Sequence, residues 1–301
     1  MNRMPMPLVP GDLIALVAPA KSIDKETITN ARAFFEDAGF RVLVTSNCLG
    51  EYHYFSGTIG ERLSDFQSVI DNPEVKAIVC ARGGYGCIQL IDRIQWAAQR
   101  DEPKWIVGFS DVTILHQRMQ VHGIKSIHGT MPLNFDSNSA SSLETLVAAL
   151  KGKGTDISVK SNLMNAKGVG AGTLLGGNLS ILFSALGTED QVDYTNSILF
   201  IEDVGEHLYH IDRMFYAFEK SDVLEKINGL IVGGMTGLKD TATPFGKSYQ
   251  EIILSHFKYR SIPIVFDFPA GHIDDNRALI LGADVNLTVN STESTLSYTS
   301  N

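Results

Sequence analysis

Ala77-Ile-Val-Cys-Ala81 runs directly into Arg82-Gly83-Gly84-Tyr85-Gly86, and Trp105-Ile-Val-Gly-Phe109 runs directly into Ser110-Asp111. Both are short apolar runs that stop abruptly and give way to longer amphipathic stretches, the alternation of βαβ units closing a parallel sheet. Working outward, further strands are expected at 12–18, 41–46 and 125–128, with helices at 24–38, 61–72, 87–100 and 111–122. Leu63, Phe66 and Ile70 carry the helical spacing of the second of these helices. The first half therefore reads as a doubly wound α/β domain.

A polar stretch without strong periodicity, 151–167, places a boundary near residue 155, giving domains at 1–155 and 156–301. The second half changes character, with apolar runs at 197–201, 229–232 and 263–268, a helix at 206–219, and a tail from 278 in which polar and apolar residues alternate. The expected architecture is α/β throughout, an N-terminal doubly wound parallel-sheet domain followed by a smaller, β-rich α/β domain. Two domains suit 301 residues, more than one hydrophobic core usually organises.

Twenty-five Lys and Arg against 34 Asp and Glu give a net charge of −9, which repels phosphate backbones and anionic lipid, so neither nucleic acid nor a membrane surface is an expected partner. No stretch approaches the ~20 apolar residues of a membrane span, and Pro5, Pro7, Pro10 and Asp12 break the apolar start, so no secretory signal is expected. Three cysteines, Cys48, Cys80 and Cys87, build no disulfide framework and suit a reducing cytoplasm. Cys80 and Cys87 read as small core hydrophobes.

Open parallel sheets bind ligands beyond the C-terminal ends of their strands, so the residues just after each strand come first. Gly83, Gly84 and Gly86 let backbone approach a ligand and aim N–H groups at an oxyanion, or else simply make a tight turn. Ser110 sits where a nucleophile elbow would place it, although the Gly-x-Ser-x-Gly pattern is missing. Locally, a helix N-cap explains Ser110 and Asp111 adequately. Of eight histidines, His128 and His272 follow strands and can face a crevice; His207 and His210 share a helix face, but no partner completes a zinc site, so no metal is expected. Gly176-Gly177 reads as a second glycine turn. Glu202 closes an apolar run, whereas Asp203-x-x-Glu206 reads as a capping box for the following helix.

In order along the chain, Gly11-Asp12, Phe55-Ser-Gly57 with Arg62 and Asp65-Phe66, Arg82-Gly-Gly-Tyr-Gly86, Gly108-Phe-Ser-Asp111, His128-Gly129, Gly176-Gly-Asn178, Glu202-Asp-Val-Gly-Glu206 and Ala270-Gly-His272 resemble the LD-carboxypeptidase family of serine peptidases. That family includes murein tetrapeptide carboxypeptidases and microcin-immunity peptidases. The resemblance implies Ser110 as nucleophile, His272 as base and Glu202 as orienting acid, with the order Ser, Glu, His of a triad defined by geometry. It implies an oxyanion hole from the amides of Gly84 and Asp111, with Gly83 the near alternative, and substrate contacts from Arg82, Gly83 and Tyr85. It also implies a cytoplasmic homodimer without cofactor, a site at the domain junction, and a small muropeptide substrate whose C-terminal D-Ala is released during cell-wall recycling.

Nothing between Glu219 and His256 is similar to the long aromatic substrate loop of the microcin-immunity branch, which favours the murein branch. The alternatives are a microcin-immunity-type peptidase acting on a peptide-nucleotide conjugate and a non-catalytic peptide- or sugar-binding α/β protein. Because the chain is acidic, a carboxylate-bearing substrate needs a local cation, for which Arg82, Arg213 and Arg277 are candidates.

Overall fold

A computed structural model describes residues 2–299. Its strands, in chain order, are β1 (Leu13–Val17), β2 (Arg41–Val44), β3 (Val75–Cys80), β4 (Trp105–Gly108), β5 (Ser126–His128), β6 (Ile157–Lys160), β7 (Gly168–Asn178), β8 (Ser197–Val204), β9 (Ile227–Thr236), β10 (Ile264–Val265), β11 (Leu279–Leu281), β12 (Asp284–Val289) and β13 (Glu293–Tyr298). The chain forms two compact units. The first holds residues up to Gly154 together with Asp274–Gly282, and the second holds Thr155–Ile273 and the residues from Ala283 onward.

The first unit carries a six-stranded sheet in the order β11-β5-β4-β3-β1-β2. Strands β1 to β5 are mutually parallel, and their order 2-1-3-4-5 reverses direction between β1 and β3. In open α/β sheets such a switch point, at the C-terminal strand ends, is where ligands bind. The sequence division had left 274–282 in the second half. It joins the first unit because β11 adds antiparallel to β5, Leu279 opposite His128 and Leu281 opposite Ser126.

Caps explain the helix starts. Asp24 accepts from the Thr27 amide ahead of helix Lys25–Asp37, and Thr58 with Glu61 forms a full capping box ahead of helix Ile59–Asp71. The helix expected over 87–100 is broken into a 3-10 turn at Cys87–Gln89 and a short helix at Ala97–Asp101. Helix continuation would need the Gln95 amide to reach the Ile91 carbonyl. Instead the Gln67 side chain captures that amide at 2.8 Å, and the Trp96 indole donates to that carbonyl at 3.2 Å.

The second unit has a seven-stranded sheet, β10-β9-β8-β7-β12-β13-β6, parallel from β7 through β10 and antiparallel elsewhere. Helix Leu208–Lys220 presents Ile211, Met214, Phe215 and Phe218 at helical spacing to a core with Leu199, Ile201 and Val232. Gly176 and Gly177 make no turn, contrary to expectation, and lie inside the long strand β7. A Cβ on Gly176, whose φ is 138°, would sit 1.8 Å from the Phe200 carbonyl oxygen of β8, so glycine there allows strand contact.

Gly176→Ala is therefore expected to cost at least about 2 kcal/mol, through a steric conflict the sheet can relieve only by separating β7 from β8. Urea unfolding of the two proteins should show a lower midpoint at unchanged slope; an unshifted midpoint would contradict this packing.

Candidate active site

Strand β4 ends at Gly108, and Ser110 follows in a left-handed conformation with φ 62°, opening a 3-10 turn over Ser110–Val112. A non-glycine residue there is strained by of order 1 kcal/mol and persists only where its surroundings fix it. Val112 packs against the Gly108 α-carbon, close enough that a Cβ on Gly108 would meet its Cγ2 at 2.9 Å. His116 donates from Nε2 to the Gly108 carbonyl at 2.8 Å. Burial pushes that imidazole down to about 4, so it stays neutral and serves as a fixed donor. The N-cap reading of Ser110 is not realised: Phe109 holds the N-cap position of the 3-10 turn, and Ser110, half-buried, is the first residue of the turn itself.

The glycine turn after β3 lies on this serine. A Cβ on Gly83 would sit 3.1 Å from Ser110 Cβ and 3.3 Å from both Ser110 Oγ and the Asp111 amide nitrogen. Gly84 and Gly86 adopt φ 115° and 147°. Asp111, buried, sends its carboxylate back to accept the Cys87 amide at 2.9 Å, tying the two turns together. Burial raises its pKa, with the Cys87 hydrogen bonds and the Arg62 charge opposing.

Arg62, on helix Ile59–Asp71, joins the segments around the glycine turn. It is fully buried and donates to the carbonyls of Gly57 (3.0 Å), Pro19 (2.8 Å) and Gly86 (3.2 Å) and to Gln89 Oε1 (2.6 Å), with its guanidinium over the Phe55 ring. The signal was available: Arg62, Asp65, Phe66, Val69 and Ile70 form one buried stripe on helix Ile59–Asp71, and a charge in an apolar stripe needs a partner.

In the second unit Glu202 and His272 meet. His272 donates from Nδ1 to Glu202 Oε2 at 2.6 Å, and its backbone amide donates to the same oxygen at 3.2 Å. This fixes the tautomer with the proton on Nδ1 and the basic lone pair on Nε2. The approach requires glycine: a Cβ on Gly271 would lie 2.5 Å from Glu202 Cβ, and β9 inserts an extra residue at Gly233-Gly234, whose Gly234 amide donates to the Ala270 carbonyl at 2.9 Å. Glu202 is wholly buried, and its Oε1 has no hydrogen-bond partner among the described residues. Burial lowers the His272 pKa, but the hydrogen bond and charge of Glu202, with Asp203 adding to them, outweigh it and raise the imidazole above its ordinary value.

The capping box expected from Asp203 and Glu206 is absent. Helix Leu208–Lys220 starts two residues later, with His207 at its N-cap position. Asp203 stays in β8 and accepts from Asn178 Nδ2 and the Ser180 amide, both at 2.9 Å, and from the Val204 amide at 2.8 Å. Burial pushes its pKa up to about 6. Glu206 instead pairs with Nδ1 of His210. Of the remaining candidates, His128 is buried within β5, Arg277 pairs with Asp275, Arg213 stacks on Tyr209, and Arg82 donates from Nη1 to the Ser22 carbonyl while its buried Nε has no partner. Cys48, Cys80 and Cys87 are free and buried, and burial raises all three thiols. Among the described residues no group of three His, Cys, Asp or Glu side chains could hold a metal ion, and no helix is long and apolar enough to cross a membrane.

The profile of the LD-carboxypeptidase N-terminal domain matches residues 14–129, and that of the LD-carboxypeptidase C-terminal domain matches residues 171–287. The chain belongs to the LD-carboxypeptidase family. It is accordingly a serine-type carboxypeptidase, a hydrolase. A Synechocystis protein is 32% identical over 284 residues, 94% of this chain and 93% of its own length. The murein tetrapeptide carboxypeptidase of Pseudomonas aeruginosa is 29% identical, over 88% of this LD-carboxypeptidase and 89% of its own chain. The crystal structure of muramoyltetrapeptide carboxypeptidase from Oxalobacter formigenes superposes with a TM-score of 0.85 at 27% identity, covering 96% of this chain and 100% of that one.

Two measurements check this geometry. Ser110→Gly removes the left-handed strain and is expected to stabilise the protein by about 0.5–1 kcal/mol in thermal unfolding; destabilisation would contradict the strained turn. NMR titration of His272 should give a pKa above 6.5 that drops in Glu202→Gln, since the amide removes the charge and burial remains.

Proposed function

We propose that the chain removes the C-terminal D-Ala from the murein tetrapeptide L-Ala-D-Glu-meso-diaminopimelate-D-Ala, with Ser110 as nucleophile, His272 as general base and Glu202 as the acid that orients it. What carries the reading is a strained serine held against a glycine turn in a chain that also pairs a histidine with a wholly buried glutamate. His272 Nε2 takes the Ser110 proton as Oγ attacks the scissile carbonyl. The amides of Gly84 and Asp111 stabilise the oxyanion, with Arg82, Gly83 and Tyr85 contacting the substrate. His272 then returns the proton to the departing D-Ala nitrogen, and water repeats the sequence to release the acyl group. Glu202 holds the imidazolium through the Nδ1–H hydrogen bond and stabilises it.

The same reading places the enzyme in the cytoplasm as a homodimer acting on muropeptides during cell-wall recycling. The names of its relatives support the muropeptide substrate, and three free, buried cysteines suit a reducing compartment.

Incubation with the tetrapeptide and its all-L analogue should release alanine from the first alone; equal rates, or none, would overturn the substrate assignment. Glu202→Gln should cut kcat by orders of magnitude with little change in stability, while Glu206→Gln, which keeps a hydrogen-bonding group beside His210, should be nearly silent. The reverse result would shift the acid to Glu206.

A further inference from the structure

At the β1/β3 switch point the glycine turn follows β3, and Lys21, in the segment that follows β1, lies beside it. Its backbone is held: Lys21 bridges Phe55, the Ser22 amide donates to the Tyr54 carbonyl at 3.4 Å, and Arg82 donates to the Ser22 carbonyl at 3.0 Å. The side chain runs alongside Gly84. A Cβ on Gly84 would lie 3.3 Å from Lys21 Cβ, 3.6 Å from Lys21 Cδ and 2.9 Å from the Tyr54 hydroxyl. Lys21 Nζ stands 5.0 Å from the centroid of the half-exposed Tyr54 ring, and no carboxylate lies within ion-pair distance of it among the described residues. Lys21 and Ser110 thus flank two successive glycines, Gly84 touching the lysine and Gly83 touching the serine.

We propose that Lys21 binds the substrate's C-terminal carboxylate, with the Tyr54 ring steadying the ammonium and its hydroxyl offering a second donor. The inference rests on the peptidase reading above and supplies its exopeptidase specificity. The chemistry sets the distance. The terminal carboxylate carbon is separated from the scissile carbonyl carbon by three bonds of about 1.3–1.5 Å each, so a cation that reads it must stand beside the oxyanion donor. Lys21 does so: its Cδ already touches the Gly84 position, and Nζ extends two bonds further. In a chain with nine more acidic than basic residues, an ammonium without an acidic partner beside that turn is the local attraction an anionic peptide needs.

The test compares kcat/KM on the tetrapeptide with kcat/KM on the same peptide amidated at its C-terminus. Wild type is expected to favour the free acid by about 10- to 100-fold, the value of one charge-assisted contact. Lys21→Met should bring that ratio to within about 3-fold of unity, and Lys21→Arg should restore most of it. Arg82→Met should lower rates on both peptides and keep the ratio. A structural role for Lys21 would slow both peptides equally, so an unchanged ratio in Lys21→Met overturns the proposal, as does a ratio lost in Arg82→Met alone. Binding of N-acetyl-D-alanine, followed by NMR at the Lys21 ammonium and Tyr54 ring, needs no turnover. A response to it that N-acetyl-D-alaninamide does not produce supports the site even if the tetrapeptide is not cleaved, and no response refutes it.

Discussion

The first unit is organised around one strained residue. Ser110 occupies a left-handed conformation that costs energy, and each neighbouring feature removes a way of relaxing it. Gly108 lets Val112 press on the strand end, neutral His116 holds the Gly108 carbonyl, and the Asp111 carboxylate fastens the turn to the Cys87 amide. The strain lifts the hydroxyl out of the β4 line and next to Gly83. Had the turn relaxed to an ordinary cap, the hydroxyl would be occupied by backbone amides and poorly placed for the nucleophilic role proposed for it.

Buried charge is used differently in the two units. Arg62 carries a full positive charge into the interior with carbonyl oxygens and an amide oxygen as its partners, so its compensation comes from dipoles gathered out of three loops. Those loops end at Pro19, Gly57 and Gly86, and one cation thereby fixes the segments around the glycine turn relative to one another. Replacing it with an apolar side chain would leave several buried carbonyls without donors, a larger loss than that of the charge itself. Glu202 is the opposite case. Among the described residues only Oε2 has partners, both from His272, and the orphaned Oε1 leaves the carboxylate dependent on the imidazole for stabilisation. An ion so poorly compensated gains when its neighbour becomes cationic, which is why His272 is a stronger base than burial alone would permit.

Much of the fold was legible because apolar periodicity and strand-end glycines are local signals. The five parallel strands of the first unit fall where short apolar runs predicted them, and Ser110, Gly83 and Gly84 follow from asking what lies after each strand. What failed depended on partners distant in sequence. No local pattern announces that Gln67 will take the Gln95 amide and break a helix, that β11 will pair with β5, or that Gly176 is a strand contact. Asp203-x-x-Glu206 satisfied a local capping rule and was still misread, because Asn178 and the Ser180 amide compete for the same carboxylate from the end of a neighbouring strand.

That competition shows how the second unit aims its glutamate. Asn178 lies opposite Glu202 in the β7/β8 register, and it both caps helix Leu179–Ser184 and donates to Asp203. Asp203 is thereby held at the end of its strand, and alternation along β8 puts the preceding side chain, Glu202, on the opposite face of the sheet. On the other flank the extra residue at Gly233-Gly234 admits the backbone of Ala270 and Gly271, which brings His272 down onto the carboxylate. Two adjacent acids therefore divide the work: Asp203 takes three donors and fixes the strand end, leaving Glu202 with His272 as its sole hydrogen-bond partner among the described residues. In the proposed triad, an acid that orients a base can carry few other hydrogen bonds, since each would weaken its hold on the imidazole, so the neighbouring carboxylate supplies the structural contacts.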